Sequence, residues 1–235
     1  MKFIKTFTTA LLGLTMVNAK LIMIIRHGEK IDDDHSGLSD IGQARANCLV
    51  ESFGTNGTFT TPQKIYAQSL IDKTSTRPRD TVTPLAKSLD LQINLNYEDK
   101  DTEELVQDIN NSPEEVFLVS WSKDKIKDIA QDFGIKDVES WDSDVFNEVW
   151  IITNGTPDYL QNRAEAVADG VTPIYKKSGK KKISYNMVVV DEQVEKCIQR
   201  SFPKYSQAST SGVGSFKANM LTIAGVIATL LYFFY

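Results

Sequence analysis

The chain is short of histidine, short of cysteine and short of positive charge, and it contains no internal repeat. Only two histidines, His27 and His35, occur in 235 residues, so imidazole chemistry has just two possible carriers. Only two cysteines, Cys48 and Cys197, are present, which limits the chain to one disulfide or two buried thiols. Lysine and arginine number 26 against 31 aspartates and glutamates, a net charge of −5. That balance gives no general attraction for nucleic acid and excludes it as an expected partner. With no repeat and no long low-complexity linker, a single α/β domain accounts for the body of the chain.

The two ends differ from that body. Residues 1–19 carry Lys2 and Lys5, then the apolar run Phe7–Val17, with Val17 and Ala19 at the −3 and −1 places of a small-residue cleavage site. This is the pattern of a secretory signal peptide. Residues 206–235 open with the polar, small-residue stretch Ser206–Ser215 and close with the charge-free run Ala218–Tyr235. Small residues at an attachment site (near Ser209, Ser211 or Gly212), a polar spacer and a hydrophobic tail make up a glycosylphosphatidylinositol (GPI) anchor signal. The rival reading is a retained membrane helix, long enough to span a bilayer but without the Lys or Arg that usually follows one. Either way the C-terminal segment is expected to hold the protein at a membrane. Removing both ends takes away Lys2, Lys5 and Lys217 but no acid, so the charge deepens from −5 to −8. A secreted route permits a Cys48–Cys197 disulfide, and Asn56-Gly-Thr, Asn110-Asn-Ser and Asn154-Gly-Thr fit the N-glycosylation pattern, with Pro157 weakening the last.

Residues 20–205 remain as the domain. Leu21–Ile25 is an unbroken apolar run, as expected of a strand buried on both faces, and it leads into Arg26-His27-Gly28. Ser39 is a plausible N-cap for a helix ending near Gly54. A short strand is expected over Lys64–Gln68 and a helix over Arg79–Leu89, its first turns perturbed by Pro84. Val116–Trp121 reads as a second apolar strand, Asp124–Phe133 as a helix closed by Gly134, and Val149–Thr153 as a third strand. Ile174–Val190 suggests a hairpin turning at Ser178-Gly179. Strands alternating with helices predict a three-layer α/β/α sandwich around a mostly parallel sheet.

In such a sheet, ligands bind beyond the carboxyl ends of the strands, which is where Arg26-His27-Gly28-Glu29 falls. A neutral imidazole there is a good nucleophile toward phosphorus, an arginine offers a fixed fork of donors to phosphate oxygens, and Gly28 permits close backbone approach. Arg77 opens the later helix, where the N-terminal dipole also favours anions. The strings LIMIIRHGEK, HSGLSDIGQARA, RPRDTVTPLAKSL, VFLVSW and WDSDVFNEVWIIT, in this order over Leu21–Thr153, resemble the histidine phosphatase (phosphoglycerate mutase-like) superfamily, and most of all a secreted fungal-type branch. The resemblance implies a phosphohistidine mechanism: His27 attacks, Arg26 and Arg77 grip the phosphoryl group of a phosphorylated small molecule or other phosphoester, and water releases phosphate. It implies no metal and no cofactor.

The sequence departs from the family pattern at one point. The second histidine that the superfamily carries after the later strand is missing from LVSWSKDKI, where it is expected at or near Lys123 among Trp121, Ser122, Lys123 and Asp124; Lys123 reads equally as a solvated residue at a helix start. A lysine neutralises phosphate charge as a hydrated point charge, but with a pKa near 10.4 it is a poor proton shuttle. Loss of one preorganised donor costs about 10²–10³ in rate. Two functions are therefore expected: a phosphomonoester hydrolase acting through His27, or a pseudo-phosphatase that keeps the pocket for binding. The general acid is open between Glu29 and the acidic stretch Glu98, Asp99, Asp101, Glu103 and Glu104. His35 reads as a loop residue, Asp32-Asp33-Asp34 as solvated carboxylates, and the lysines at 176, 177 and 180–182 as protection of an edge hairpin.

Overall fold

Leu21–Arg26 (β1) is a six-residue strand with every residue buried. Leu21, Met23 and Ile25 enter one hydrophobic core while Ile22 and Ile24 enter another, so the run shows no polar alternation because neither face meets water. The computed structural model describes residues 19–70, 75–154, 176–177 and 185–201. The signal-like segment, the C-terminal tail, the Ser178-Gly179 turn and the lysines at 180–182 lie outside the described residues.

Around β1 run Lys64–Ala67 (β2), Ile93–Asn94 (β3), Val116–Trp121 (β4), Glu148–Thr153 (β5), Lys176–Lys177 (β6) and Asn186–Asp191 (β7), in the spatial order β3-β2-β4-β1-β5-β7-β6. The pairings β3–β2, β2–β4 and β4–β1 are parallel. β5 is antiparallel to β1, β7 to β5, and β6 to β7. Only β5 and β6 thus oppose the other strands, and the sheet is mostly parallel.

Asp40–Phe53 (α1), Arg77–Ser88 (α2) and Glu195–Ser201 (α5) pack on the face of Met23 and Ile25 through residues such as Leu49, Leu85 and Ile198. Thr102–Asn111 (α3) and Lys123–Asp132 (α4) pack on the Ile22 and Ile24 face through Leu105, Ile109, Ile126 and Ile129. This is a three-layer α/β/α arrangement. β1 and β4 are parallel neighbours, yet the chain leaves β1 for α1 on one face and β4 for α4 on the other. Their exit loops diverge to opposite faces beyond the carboxyl ends of these two strands, the place where open α/β sheets bind ligands.

Local chemistry explains most element ends. The Ser39 hydroxyl accepts from the Gly42 amide at 3.2 Å and caps α1, and Gly134, with φ of 86°, closes α4 in the left-handed conformation. α2 begins at Arg77 rather than Arg79, because Pro78 in a first turn gives up an amide that would be unpaired anyway. Pro84 deletes one main-chain bond inside α2, but burial of Val82, Leu85 and Ala86 carries the helix on to Ser88. β3, α3 and α5 have no counterpart in the sequence reading. The two-residue β6 pairs Lys176 with Met187 of β7, as arms of the expected hairpin. Cys48 of α1 and Cys197 of α5 form a disulfide with their Cα atoms 5.7 Å apart.

Candidate active site

His27 is the first residue past β1. Its amide donates to the Trp121 carbonyl at the end of β4, at 3.1 Å, so the residue is held beside that strand's exit. Its imidazole is 8% exposed, and Nδ1 lies 2.8 Å from the Gly28 carbonyl oxygen. A carbonyl only accepts, so Nδ1 carries the proton and Nε2 keeps its lone pair. Burial pulls the imidazole pKa down to about 4; the Gly28 hydrogen bond and Glu29 oppose that, and the Arg77 and Arg26 guanidinium groups reinforce it. At neutral pH His27 is uncharged, and its free lone pair is on Nε2.

One hydroxyl brings Arg77 to this loop. Buried Thr81, on the second turn of α2, accepts from the Gly28 amide at 2.8 Å and donates to the Arg77 carbonyl at 2.8 Å. On the other side the loop meets α1 backbone to backbone. A Cβ on Gly28 would lie 3.1 Å from the Gly42 carbonyl oxygen, and one on Gly42 would lie 2.4 Å from that of Glu29. Gly42 is needed for the approach, and Gly28 leaves little room for a side chain.

Each arginine is anchored at one nitrogen. Arg26, 6% exposed, donates from Nη1 to the carbonyls of Ser143 at 2.7 Å and Val145 at 2.8 Å, with that of Asp142 at 3.4 Å. Burial lowers its pKa to about 10 against Glu29, Asp124 and Asp144, which leaves it charged at neutral pH. Arg77 donates from Nη1 to the His35 carbonyl at 2.9 Å; burial lowers its pKa and Asp33 raises it. Among the described residues, five buried side-chain polar atoms have no hydrogen-bond partner, and two of them are Nε of Arg26 and Nε of Arg77. Two orphaned cationic donors beside one neutral imidazole suit an anion with several oxygens.

Other sequence-derived candidates are engaged elsewhere. Lys123 opens α4 and pairs with its neighbour Asp124 at 2.6 Å. The charges acting on His27 are Arg77, Arg26 and Glu29. Glu29 is itself gripped by Arg45, whose Nε donates at 3.2 and 3.0 Å to its two oxygens and whose Nη2 donates at 2.7 Å. Asp101 accepts from the Glu98 amide at 2.9 Å, Glu98 pairs with Lys100 at 3.1 Å, and Glu103 and Glu104 are exposed in the first turn of α3. The Asp99 carbonyl accepts from the Trp121 indole at 3.2 Å. His35 is exposed with Nδ1 2.6 Å from Asp32; Asp32 also accepts from the amides of Asp34 and His35, and Asp33 pairs with Lys30. Of the glycosylation candidates, Asn56 is exposed on the turn after α1. Asn110 accepts from the Tyr185 hydroxyl and Asn154 from the Lys20 amide at 2.6 Å.

Sequence reasoning missed Thr81, Phe146, Arg45 and Glu192. Arg45 is 1% exposed and binds fully buried Glu192 through Nη1 at 2.8 Å. Burial works against its charge, but Glu192 and Glu29 together hold its pKa above the ordinary arginine value. A signal for it existed: an arginine on the inward stripe of α1, between Ala44 and Cys48, requires buried acids.

No family model matches the chain, and no curated protein matches it in sequence. Solved structures resemble it in part. A mycobacterial glucosyl-3-phosphoglycerate phosphatase in complex with inorganic phosphate is 13% identical over 49% of this chain and 79% of its own, with a TM-score of 0.38. A provisionally assigned α-ribazole-5′-phosphate phosphatase from Escherichia coli is 14% identical over 59% of this chain and 92% of its own, at 0.41. A provisionally assigned phosphohistidine phosphatase from Agrobacterium tumefaciens is 12% identical over 57% and 90%, at 0.39. At such identities the architecture of this chain rests on its own strand order and helix layers.

Proposed function

We propose that this chain is a histidine phosphatase-type phosphomonoester hydrolase working through a phosphohistidine at His27. The observation that carries the reading is a buried, neutral imidazole with a free Nε2 lone pair, flanked by two arginines whose buried Nε–H groups lack partners. In the reaction, Nε2 forms a bond to phosphorus as the ester P–O bond breaks, and the departing oxygen leaves with a proton. Water then attacks phosphorus, the N–P bond breaks, and phosphate departs while His27 returns to its neutral state. Arg26 and Arg77 balance the charge on the phosphoryl oxygens throughout. The substrate class is a phosphorylated small molecule or other phosphomonoester.

One observation favours a second reading, a pseudo-phosphatase that binds phosphorylated ligands without turning them over. Glu29 is committed to Arg45 and Lys123 to Asp124, which leaves the proton donor for the leaving group unassigned. Incubation of the purified full-length chain with an aryl phosphate, beside His27→Ala, separates the two. Hydrolysis abolished in the variant, with an alkali-stable and acid-labile phosphate label on the wild type, supports the enzyme. A wild type as inert as the variant, while still binding vanadate, supports the binding module. An increase in rate for Lys123→His would mark position 123 as the site of the lost histidine.

The setting we propose is the cell surface. Residues 1–19 would direct secretion, 20–205 form the domain, and 206–235 supply a GPI signal or a membrane tail. The support is compositional: a short apolar run before a small-residue cleavage site, and a charge-free C-terminal run. Release from intact cells by a phosphatidylinositol-specific phospholipase supports the lipid anchor, and retention supports the tail.

A further inference from the structure

The turn before β5 braces itself before it holds anything else. The Trp141 indole donates to the Val145 carbonyl at 2.8 Å, and its ring stacks on Trp150 of β5 with centroids 5.2 Å apart. The Asp144 amide donates to Asp142 Oδ1 at 2.9 Å, and the Val145 amide to the Asp142 carbonyl at 3.3 Å. Carbonyls of this turn receive Arg26 Nη1, and the Arg26 guanidinium carbon lies 3.6 Å from the centroid of Phe146.

These contacts fix which edge of Arg26 faces a ligand. A guanidinium carries five N–H donors in one plane. Nη1 lies on the side of Cδ, and both of its hydrogens are matched by the Ser143 and Val145 carbonyls. The Phe146 ring supports the plane from one face. What remains is the opposite edge, formed by Nε and Nη2, and its Nε–H is buried without a partner. Carbonyls satisfy Nη1 without neutralising the charge, so the remaining edge keeps its pull on an anion.

We propose that Phe146, with the turn it belongs to, is a positioning residue that holds Arg26 so that its Nε–Nη2 edge grips a phosphoryl group side-on at His27. This rests on the phosphohydrolase reading of the site. The contact that matters is that of the Phe146 ring with the guanidinium, and Phe146 acts through it.

The test uses the purified full-length chain, with orthovanadate as the probe and an aryl phosphate as the substrate. Phe146→Leu keeps apolar bulk at a half-buried position but removes the ring face. It should weaken vanadate binding and lower kcat/KM by about tenfold with little change in melting temperature, and Phe146→Tyr should restore both. The Arg26 Nε–H resonance, assigned by its loss in Arg26→Lys, should shift when vanadate is added to the wild type. In the Arg26→Lys background, Phe146→Leu should cost nothing further, whereas a merely structural role would add its full loss. If the wild type binds vanadate and hydrolyses ester while Phe146→Leu matches it, or the two losses add, the positioning role is overturned and the hydrolase reading stands. If the wild type neither binds nor hydrolyses, both fall together.

Discussion

Replacing Arg45 by methionine should be among the most damaging single changes in the domain, and its damage should depend on pH. Arg45 is 1% exposed and divides its donors between Glu29, two residues past His27, and Glu192, which is 0% exposed and already has Oε1 without a partner. Methionine fills much of the same volume but leaves Glu192 with neither oxygen paired. Removing one partner of a buried ion pair costs about 3–5 kcal/mol, a large part of the 5–15 kcal/mol that typically holds a domain together. Burial already pushes Glu192 up to about 7 despite Arg45, and without the guanidinium it rises further. A carboxyl whose folded pKa is raised contributes stability at low pH that is lost as pH climbs through that value. The deficit should therefore be small at pH 5, where Glu192 holds a proton in both proteins, and large at pH 8. Urea unfolding at the two pH values, with the disulfide intact, measures it. Adding Glu192→Gln to the variant should recover part of the loss at pH 8. A deficit under about 1 kcal/mol, or one equal at pH 5 and pH 8, would refute the account of this network.

Three further outcomes follow from the same geometry. Because burial holds the imidazole pKa at about 4, the His27 ring resonances should titrate near pH 4 when followed by NMR; a midpoint at about pH 6–6.5 would instead mean a solvated His27. Gly42→Ala places a methyl group 2.4 Å from the Glu29 carbonyl oxygen, so it should destabilise by about 1–3 kcal/mol and slow hydrolysis by displacing the His27 loop; thermal melting and the aryl phosphate assay check both. In a glycosylating secretory host, Asn56→Gln should abolish the glycosidase-sensitive mass, whereas Asn110→Gln and Asn154→Gln should leave it, since those two amides are engaged in hydrogen bonds; a mass change on Asn154→Gln would count against this assignment.

The fold was legible where one physical requirement dominated a stretch of chain. Leu21–Ile25 is apolar without alternation because both faces of β1 are covered, and Val116–Trp121 reads the same way for β4. Ser39 and Gly134 mark helix ends because a cap is a local bond. α3 escaped notice because its three inward apolar residues, Leu105, Val106 and Ile109, follow a run of acids that drew attention as possible catalysts. β3 and α5 are two and seven residues long, too short for periodicity to show. Within the site, His27, Arg26 and Arg77 stood out because their types match the chemistry. Thr81 did not, because its role is a pair of hydrogen bonds to two backbones 53 and four residues away.

Arg26 and Arg45 show why partners, rather than residue types, decide which buried arginine can serve the chemistry. Both lie almost entirely inside the domain and both need their N–H groups satisfied. Arg45 meets carboxylates, which satisfy its donors and cancel its charge together. Arg26 meets backbone carbonyls and an aromatic face, which satisfy Nη1 and support the plane but bring no negative charge. The second arrangement satisfies the guanidinium through carbonyls, so its positive charge still acts on His27. That charge adds to burial in disfavouring the imidazolium, which keeps the lone pair on Nε2, and on the proposed reading it would favour an incoming phosphoryl dianion.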